Sequence, residues 1–405
     1  MRQTIAIVGA NLAGGHAART LRAEGFDGEI QLIGSEPHPP YERPVLSKEV
    51  LLRQCEPERA YLQSSDVWSQ QDITLRLGTT VQRIRPTERE LELSDGGAIR
   101  ADKVLLCTGG RVRRLDIPGA DLEGVEYLRT IEDSIAIRER LRPGAPVVVI
   151  GGGFIGAEVA ACARESGCVV TLLEQGDMPL SRVLGREIGL ALTRVHREEG
   201  VTVATNTSVA RIGGGKSVTH VVTTDGDRIE ATLVVIGVGI DPAVELADQA
   251  GLDVDNGIIV DEFCQTSNPS IYAAGDVANH PNGILGERVR LEQWQNANNQ
   301  GAAAARSILG RQEKYCEVPW FWSDQFDVSV QMVGRPSAAD AIVYRGDSES
   351  RSFSAFFVRN GALRGAVGVN RPRDVKRTTA YIATGQIVDS AKLADESVDL
   401  RTIGS

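Results

Sequence analysis

Apolar residues in this chain come in short continuous runs ended by glycine, until about residue 318, where apolar and polar positions begin to alternate. The first run, Thr4-Ile5-Ala6-Ile7-Val8-Gly9, enters a Gly-rich turn from Gly9 to Gly15. Ala/Leu/Arg-rich helical text to Gly25 and a second strand at Glu29 to Ile33 follow, completing a βαβ unit. Irregular text after Pro37 ends at another apolar run, Lys103 to Cys107, closed by Thr108-Gly109-Gly110. A second unit repeats the plan, with strand Pro146 to Ile150, turn Gly151 to Gly156, helix Ala157 to Glu165 and strand Val169 to Leu173. Further strand text lies at Val218 to Thr224, Ala231 to Gly237, Gly257 to Asp261 and Ile271 to Gly275. Continuous rather than alternating hydrophobicity marks parallel strands buried on both faces. Beyond Val318, the segments Asp327 to Val333, Ala341 to Tyr344, Ser352 to Arg359 and Leu363 to Val369 alternate, which suits an antiparallel sheet with one solvated face. A helix at about Arg373 to Thr384 closes this part. The fold class predicted is α/β, with two Rossmann-like dinucleotide-binding domains and a smaller C-terminal α+β domain.

Length agrees with several domains, since 405 residues exceed what one hydrophobic core organises. A net charge of −10 speaks against general affinity for nucleic acid or an anionic membrane surface. No apolar run approaches the roughly 20 residues needed to span a bilayer. The N-terminus reads as a strand rather than a signal peptide, so a cytoplasmic location is expected. The six cysteines, Cys55, Cys107, Cys162, Cys168, Cys264 and Cys316, form no C-x-x-C pair and no metal-ligand spacing, so no metal site is expected.

The sharpest motif is Gly151-x-Gly153-x-x-Gly156, set between a strand and a helix, with Glu174 ending the next strand 23 residues after Gly151. Gly151 permits the tight turn, Gly153 lets backbone approach a pyrophosphate, and Gly156 lets the helix pack on the sheet. Glu174 is placed to accept hydrogen bonds from an adenosine 2′-hydroxyl, and its charge repels a 2′-phosphate, so NADH is favoured over NADPH. The first turn, Gly9-Ala10-Asn11-Leu12-Ala13-Gly14, carries Asn11 where the fingerprint has its second glycine. That side chain is expected to crowd the pyrophosphate or hydrogen-bond to it. Glu36 follows the second strand and can serve as this unit's ribose carboxylate. Two dinucleotide folds in one chain imply two dinucleotides, and an enzyme holding NADH beside a second one is usually a flavoprotein with FAD. Ile271 to Asp276 supports this, because a carboxylate at the end of a strand, Asp276, can meet a ribityl chain.

Taken together, Tyr41-Glu42-Arg43-Pro44-Val45-Leu46-Ser47-Lys48, Thr108-Gly109-Gly110, Gly151 to Glu158, Ala273 to Asp276, Glu292 to Ala297, Pro319 to Gln325 and Asn370 to Arg373 make the whole chain resemble the oxygenase-coupled NADH–ferredoxin reductases. The resemblance implies a glutathione-reductase-like arrangement. Residues 1–110 and 238–316 would form the FAD-binding domain, 111–237 the NADH-binding domain and 317–405 the C-terminal domain. It further implies Gly9, Asn11, Ala13, Gly14, Glu36, Arg43, Lys48, Val81, Thr108, Gly109, Arg129, Asp276, Glu292, Trp294 and Trp320 around FAD. Gly151, Gly153, Phe154, Ile155, Gly156, Glu158 and Glu174 go to NADH, with Lys48, Glu158 and Trp320 as the catalytic set. Glu158 is expected to pair with Lys48. Basic residues including Arg306, Arg311, Arg364, Arg371, Arg373 and Lys376 offer attraction to an acidic partner.

The reaction implied is hydride transfer from NADH to FAD, followed by single-electron transfer to a [2Fe–2S] ferredoxin that serves an aromatic-ring dioxygenase or a cytochrome P450. Alignment and electrostatics, rather than a nucleophile, are the protein's part in it. Rubredoxin and monodehydroascorbate reductases differ from this reading only in acceptor. An apoptosis-inducing-factor-like binding protein is opposed by the negative charge. Disulfide reductases need an activated cysteine after the first βαβ unit, and none lies between Glu36 and Leu52.

Overall fold

The computed structural model describes residues 2–404, which divide into two compact units, each assembled from three chain segments. The first comprises the chain up to Glu42, Ala60–Arg111 and Asp241–Trp320. The second comprises Arg43–Arg59, Val112–Ile240 and the chain from Phe321 onward.

The first unit is built on a parallel sheet of five strands in the order Ile271–Ala273, Lys103–Leu106, Thr4–Val8, Glu29–Ile33, Ile73–Arg76. Its central strands are buried on both faces, as their unbroken apolar text requires. Strand order reverses at Thr4–Val8, and in open α/β sheets ligands bind at the carboxyl end of the strands at such a switch point. Helices Leu12–Ala23 and Trp294–Ile308 pack against each other closely enough that a Cβ at Gly301 would collide with the Ala13 carbonyl. A three-stranded antiparallel sheet, Val81–Arg85, Glu90–Leu93 and Ala98–Arg100, occupies text that reads as irregular. Its strands are only three to five residues long and carry charges at nearly every second position.

The second unit holds another five-stranded parallel sheet, ordered Thr202–Ala204, Val169–Leu173, Pro146–Ile150, Leu233–Ile236, Val125–Tyr127. Beside it lies a five-stranded sheet ordered Trp320–Gln325, Val328–Gly334, Ala362–Val369, Phe353–Arg359, Ala341–Arg345, with the last four strands antiparallel. The amphipathic helix Arg186–Glu198 joins the two, because Ile188, Leu192 and Val195 share a core with Val328, Val330, Phe357 and Val367. Helix Pro372–Thr384 covers the other side of that sheet and ends on Gly385, whose φ of 65° a side chain would strain. Trp320–Gln325 is itself a strand, one place earlier than the alternating text suggests. Among the described residues, no helix is long and apolar enough to cross a membrane.

Candidate active site

Each parallel sheet ends in the same local device. Gly9 and Gly151 leave their strands with φ of 117° and 102°, and a Cβ on either would collide with a neighbouring carbonyl, that of Cys107 or Gly237. Gly14 and Gly156 lie so close to the carbonyls of Gly9 and Gly151 that only hydrogen fits between. Both turns therefore deliver a helix N-terminus to the end of the central strand, where backbone N–H groups and the helix dipole favour an anion.

The two turns differ in their caps. Gly153 caps helix Phe154–Glu165 without any side chain, and a Cβ there would find nothing nearer than 4.0 Å. Asn11 caps Leu12–Ala23: its Oδ1 accepts from Gly14 N at 3.3 Å, while its Nδ2 donates to the Cys107 carbonyl. The amide expected to meet a pyrophosphate is thus turned into the protein and ties the helix to the neighbouring strand.

Around the first turn, Gly275 approaches Ala13, setting Asp276 beside it, and Gly275 N–H donates to Gln300 Oε1 at 2.9 Å. Arg290 Nη1 links the Asp276 carbonyl (3.2 Å) to Glu292 (2.7 Å). Thr108 Oγ1 donates to the Ala243 carbonyl at 2.7 Å, with Gly109 accepting from Ala243 N–H. Glu36 accepts from the Tyr41 hydroxyl, Val81 is buried in a core with Val8 and Ile33, and Trp294 opens its helix. Gln300 Nε2 and Gln293 Oε1 are buried with no partner among the described residues. Orphaned polar atoms beside an open, glycine-lined helix N-terminus fit a polar dinucleotide such as FAD. Trp320 is the last residue of this unit. Arg43, Lys48 and Arg129, expected around the same cofactor, belong to the second unit, where Arg43 donates to the Arg129 carbonyl.

In the second unit Glu174 is buried, and its two oxygens accept from Gly152 N and Gly176 N, each at 2.7 Å. One turn into helix Phe154–Glu165, Glu158 is only 4% exposed. Lys48 Nζ lies 3.3 Å from its Oε1 and 3.7 Å from Asp324, with the Trp322 ring 5.3 Å beneath the ammonium. Ser47 donates to Oε2 and Ser323 to Oε1, at 2.5 and 2.7 Å. Burial pushes the Glu158 carboxyl above its usual range, against the Lys48 charge and the two hydroxyls. Lys48 is held by the tight turn Pro44–Ser47. Pro44 fixes φ at its start, Ser134 donates to the Leu46 carbonyl at 2.7 Å, and the Cys162 thiol donates to the Ser47 carbonyl at 3.2 Å.

Ser47, Ser323 and Asp324 are the site residues that sequence reasoning missed. The Ser323–Glu158 contact spans 165 residues, so only the interrupted alternation of Trp320–Gln325 hints at it. Trp322 sets its ring against the Lys48 ammonium. The thiols of Cys107, Cys162 and Cys264 are pushed up, chiefly by burial, which leaves them protonated. Arg306 and Arg311 both pair with Glu24, and Arg371 pairs with Glu396, which offsets part of the basic character read in the sequence.

Residues 3–301 match the pyridine nucleotide-disulphide oxidoreductase family and residues 320–404 the reductase C-terminal family. The chain belongs to the pyridine nucleotide-disulphide oxidoreductases. Within that family it is 42% identical, over 98% of both chains, to the ferredoxin–NAD(+) reductase component of the anthranilate 1,2-dioxygenase system of Burkholderia cepacia. It superposes with a TM-score of 0.96 on the reductase of a covalent putidaredoxin reductase–putidaredoxin complex, at 38% identity over 99% of this chain and 98% of that one. The ferredoxin reductase of the CYP199A2 system of Rhodopseudomonas palustris gives the same TM-score and identity over the full length of both. Membership makes this chain an oxidoreductase that uses a flavin and a pyridine nucleotide, and its relatives are ferredoxin reductases.

Proposed function

We propose that this oxidoreductase is an NADH:ferredoxin reductase that holds FAD, takes its electrons from NADH and delivers them singly to a [2Fe–2S] ferredoxin serving an oxygenase. The observation that carries the reading is the Lys48–Glu158 pair, with Nζ 3.3 Å from Oε1 and the carboxylate buried, in a family member whose six cysteines are all free. Likeness over the whole chain to a reductase caught with putidaredoxin supports a ferredoxin as the acceptor.

FAD, when bound, accepts a hydride equivalent and returns it one electron at a time. The turn Gly9–Gly14, Glu36, Val81, Thr108, Gly109, Asp276, Glu292, Trp294 and Trp320 would hold it; Arg43, Lys48 and Arg129 are assigned to it by family resemblance alone. Gly151, Gly153 and Gly156, with Phe154 and Ile155, bind the pyrophosphate half of NADH. Glu174 takes the adenosine ribose and excludes a 2′-phosphate. Glu158 orients the nicotinamide carboxamide end, and Lys48 supplies a fixed positive charge where negative charge develops.

Anaerobic titration of the yellow protein with NADH, followed by addition of purified [2Fe–2S] ferredoxins, tests the assignment. Stoichiometric bleaching by NADH and subsequent reduction of a ferredoxin are expected. A protein that NADH fails to bleach, or that bleaches and then reduces no ferredoxin, overturns it.

A further inference from the structure

Strand Trp320–Gln325 runs along helix Phe154–Glu165 with matched spacing. Four helical residues rise about 6 Å and two strand residues about 6.6 Å. Phe321 accordingly meets Phe154, with ring centroids 4.5 Å apart, and Ser323 meets Glu158. The next residue on that strand face, Gln325, reaches His196 on helix Arg186–Glu198. Ser323, Gln325 and His196 are all essentially fully buried, at 0%, 1% and 2% exposure.

Their hydrogen bonds run one way. Ser323 Oγ gives its proton to Glu158 Oε1 at 2.7 Å, so it can only accept from Gln325, whose Nε2 lies 3.1 Å away. That fixes the amide, and Gln325 Oε1 then accepts from His196 Nε2 at 2.9 Å. The His196 ring is neutral, because burial depresses its pKa, and its remaining nitrogen, Nδ1, is buried with no partner among the described residues. Aligned donors of this kind polarise one another toward the group at the end of the chain. A strand packed between two helices could be apolar at lower cost. Here three buried polar side chains in series end on one carboxylate oxygen while Ser47 occupies the other.

We propose that Ser323 is a positioning residue for hydride transfer: backed by Gln325 and His196, it fixes the orientation and the charged state of Glu158. The proposal rests on the assignment of Glu158 to the nucleotide site. The charged and titratable groups facing Glu158 are Lys48, with Asp324 behind it, and Cys162 one turn further along its own helix; His196 ends the donor chain. Removing the Ser323 hydroxyl takes away a bond made to the charged carboxylate, so Glu158 must protonate at higher pH.

The test compares wild-type, S323A, S323T and E158Q holoenzymes in two ways. One is the pH profile of NADH-driven flavin bleaching. The other is the pH at which the Glu158 carboxyl band, identified by its loss in E158Q, appears in infrared difference spectra. In S323A both the acid limb and the band are expected to move up by about one pH unit, and S323T, which keeps a hydroxyl, restores them. An S323A enzyme that binds flavin and melts as the wild type does, yet keeps the wild-type limb and band, overturns the proposal. If E158Q itself leaves bleaching unaltered across pH, it is the assignment of Glu158 that fails. E158Q impaired with S323A unchanged removes the positioning role alone.

Discussion

Glu174 shows how much one side chain can settle. Its carboxylate closes the second Gly-rich turn through Gly152 N–H and Gly176 N–H, and it stands where the adenosine ribose of a bound nucleotide is expected. Glu174→Ala is therefore expected to lower kcat/KM for NADH about tenfold or more, since hydrogen bonds to a charged group are lost. The NADH-to-NADPH preference should collapse toward unity in steady-state assays with each nucleotide, and an unchanged ratio would refute the assignment. At this scale the sequence was legible wherever function sits in a local motif. The glycines and distal acid of the second turn lie within 24 residues of one another. It was misleading at Asn11, because nothing in the text says whether an amide faces a ligand or caps its own helix.

The parallel strands could be read directly, since burial on both faces leaves unbroken apolar runs at Thr4–Val8 and Pro146–Ile150. Strand Trp320–Gln325 could not. Its polar residues face the interior because their partners, Glu158 and His196, arrive from 165 and 129 residues away, so hydrophobic alternation breaks down. The short charged strands between Val81 and Arg100 escaped for the opposite reason, having too little apolar text to register. The seam between strand Trp320–Gln325 and helix Phe154–Glu165 is anchored by the Phe154–Phe321 edge contact. Phe321→Ala should cost about 2 kcal/mol in urea unfolding, less than a fully buried Phe because Phe321 is half-buried. A loss within experimental error would mean that the rings contribute nothing to the seam.

Across the whole molecule, four histidines, His220 among them, are lowered by burial and make stability depend on pH. Burial lowers His16 and His280 to about 4 each, and lowers His196 as well. Depressed histidines leave the unfolded chain holding more protons between about pH 4 and 6.5, so their contribution is complete above 6.5 and is lost as pH falls toward 4. For His280, 1% exposed, this is worth on the order of 3 kcal/mol. The urea midpoint should fall steadily over that range, and His280→Gln should flatten the decline; an equally steep decline in the variant would exclude His280 as its source. Each unit draws on three separate stretches of chain, which no local pattern could announce.

That interleaving bears on how the protein is made. The tight turn bearing Ser47 and Lys48, the helix bearing Glu158 and the strand bearing Ser323 and Asp324 leave the ribosome in that order, with well over a hundred residues between the last two. Synthesis proceeds at roughly 5–20 residues per second, so a growing chain carries its buried acid for many seconds with one oxygen unclasped. Premature termination or early proteolysis would strand Glu158 in that half-held state. The second clasp on Glu158 thus arrives only with the last fifth of the polypeptide.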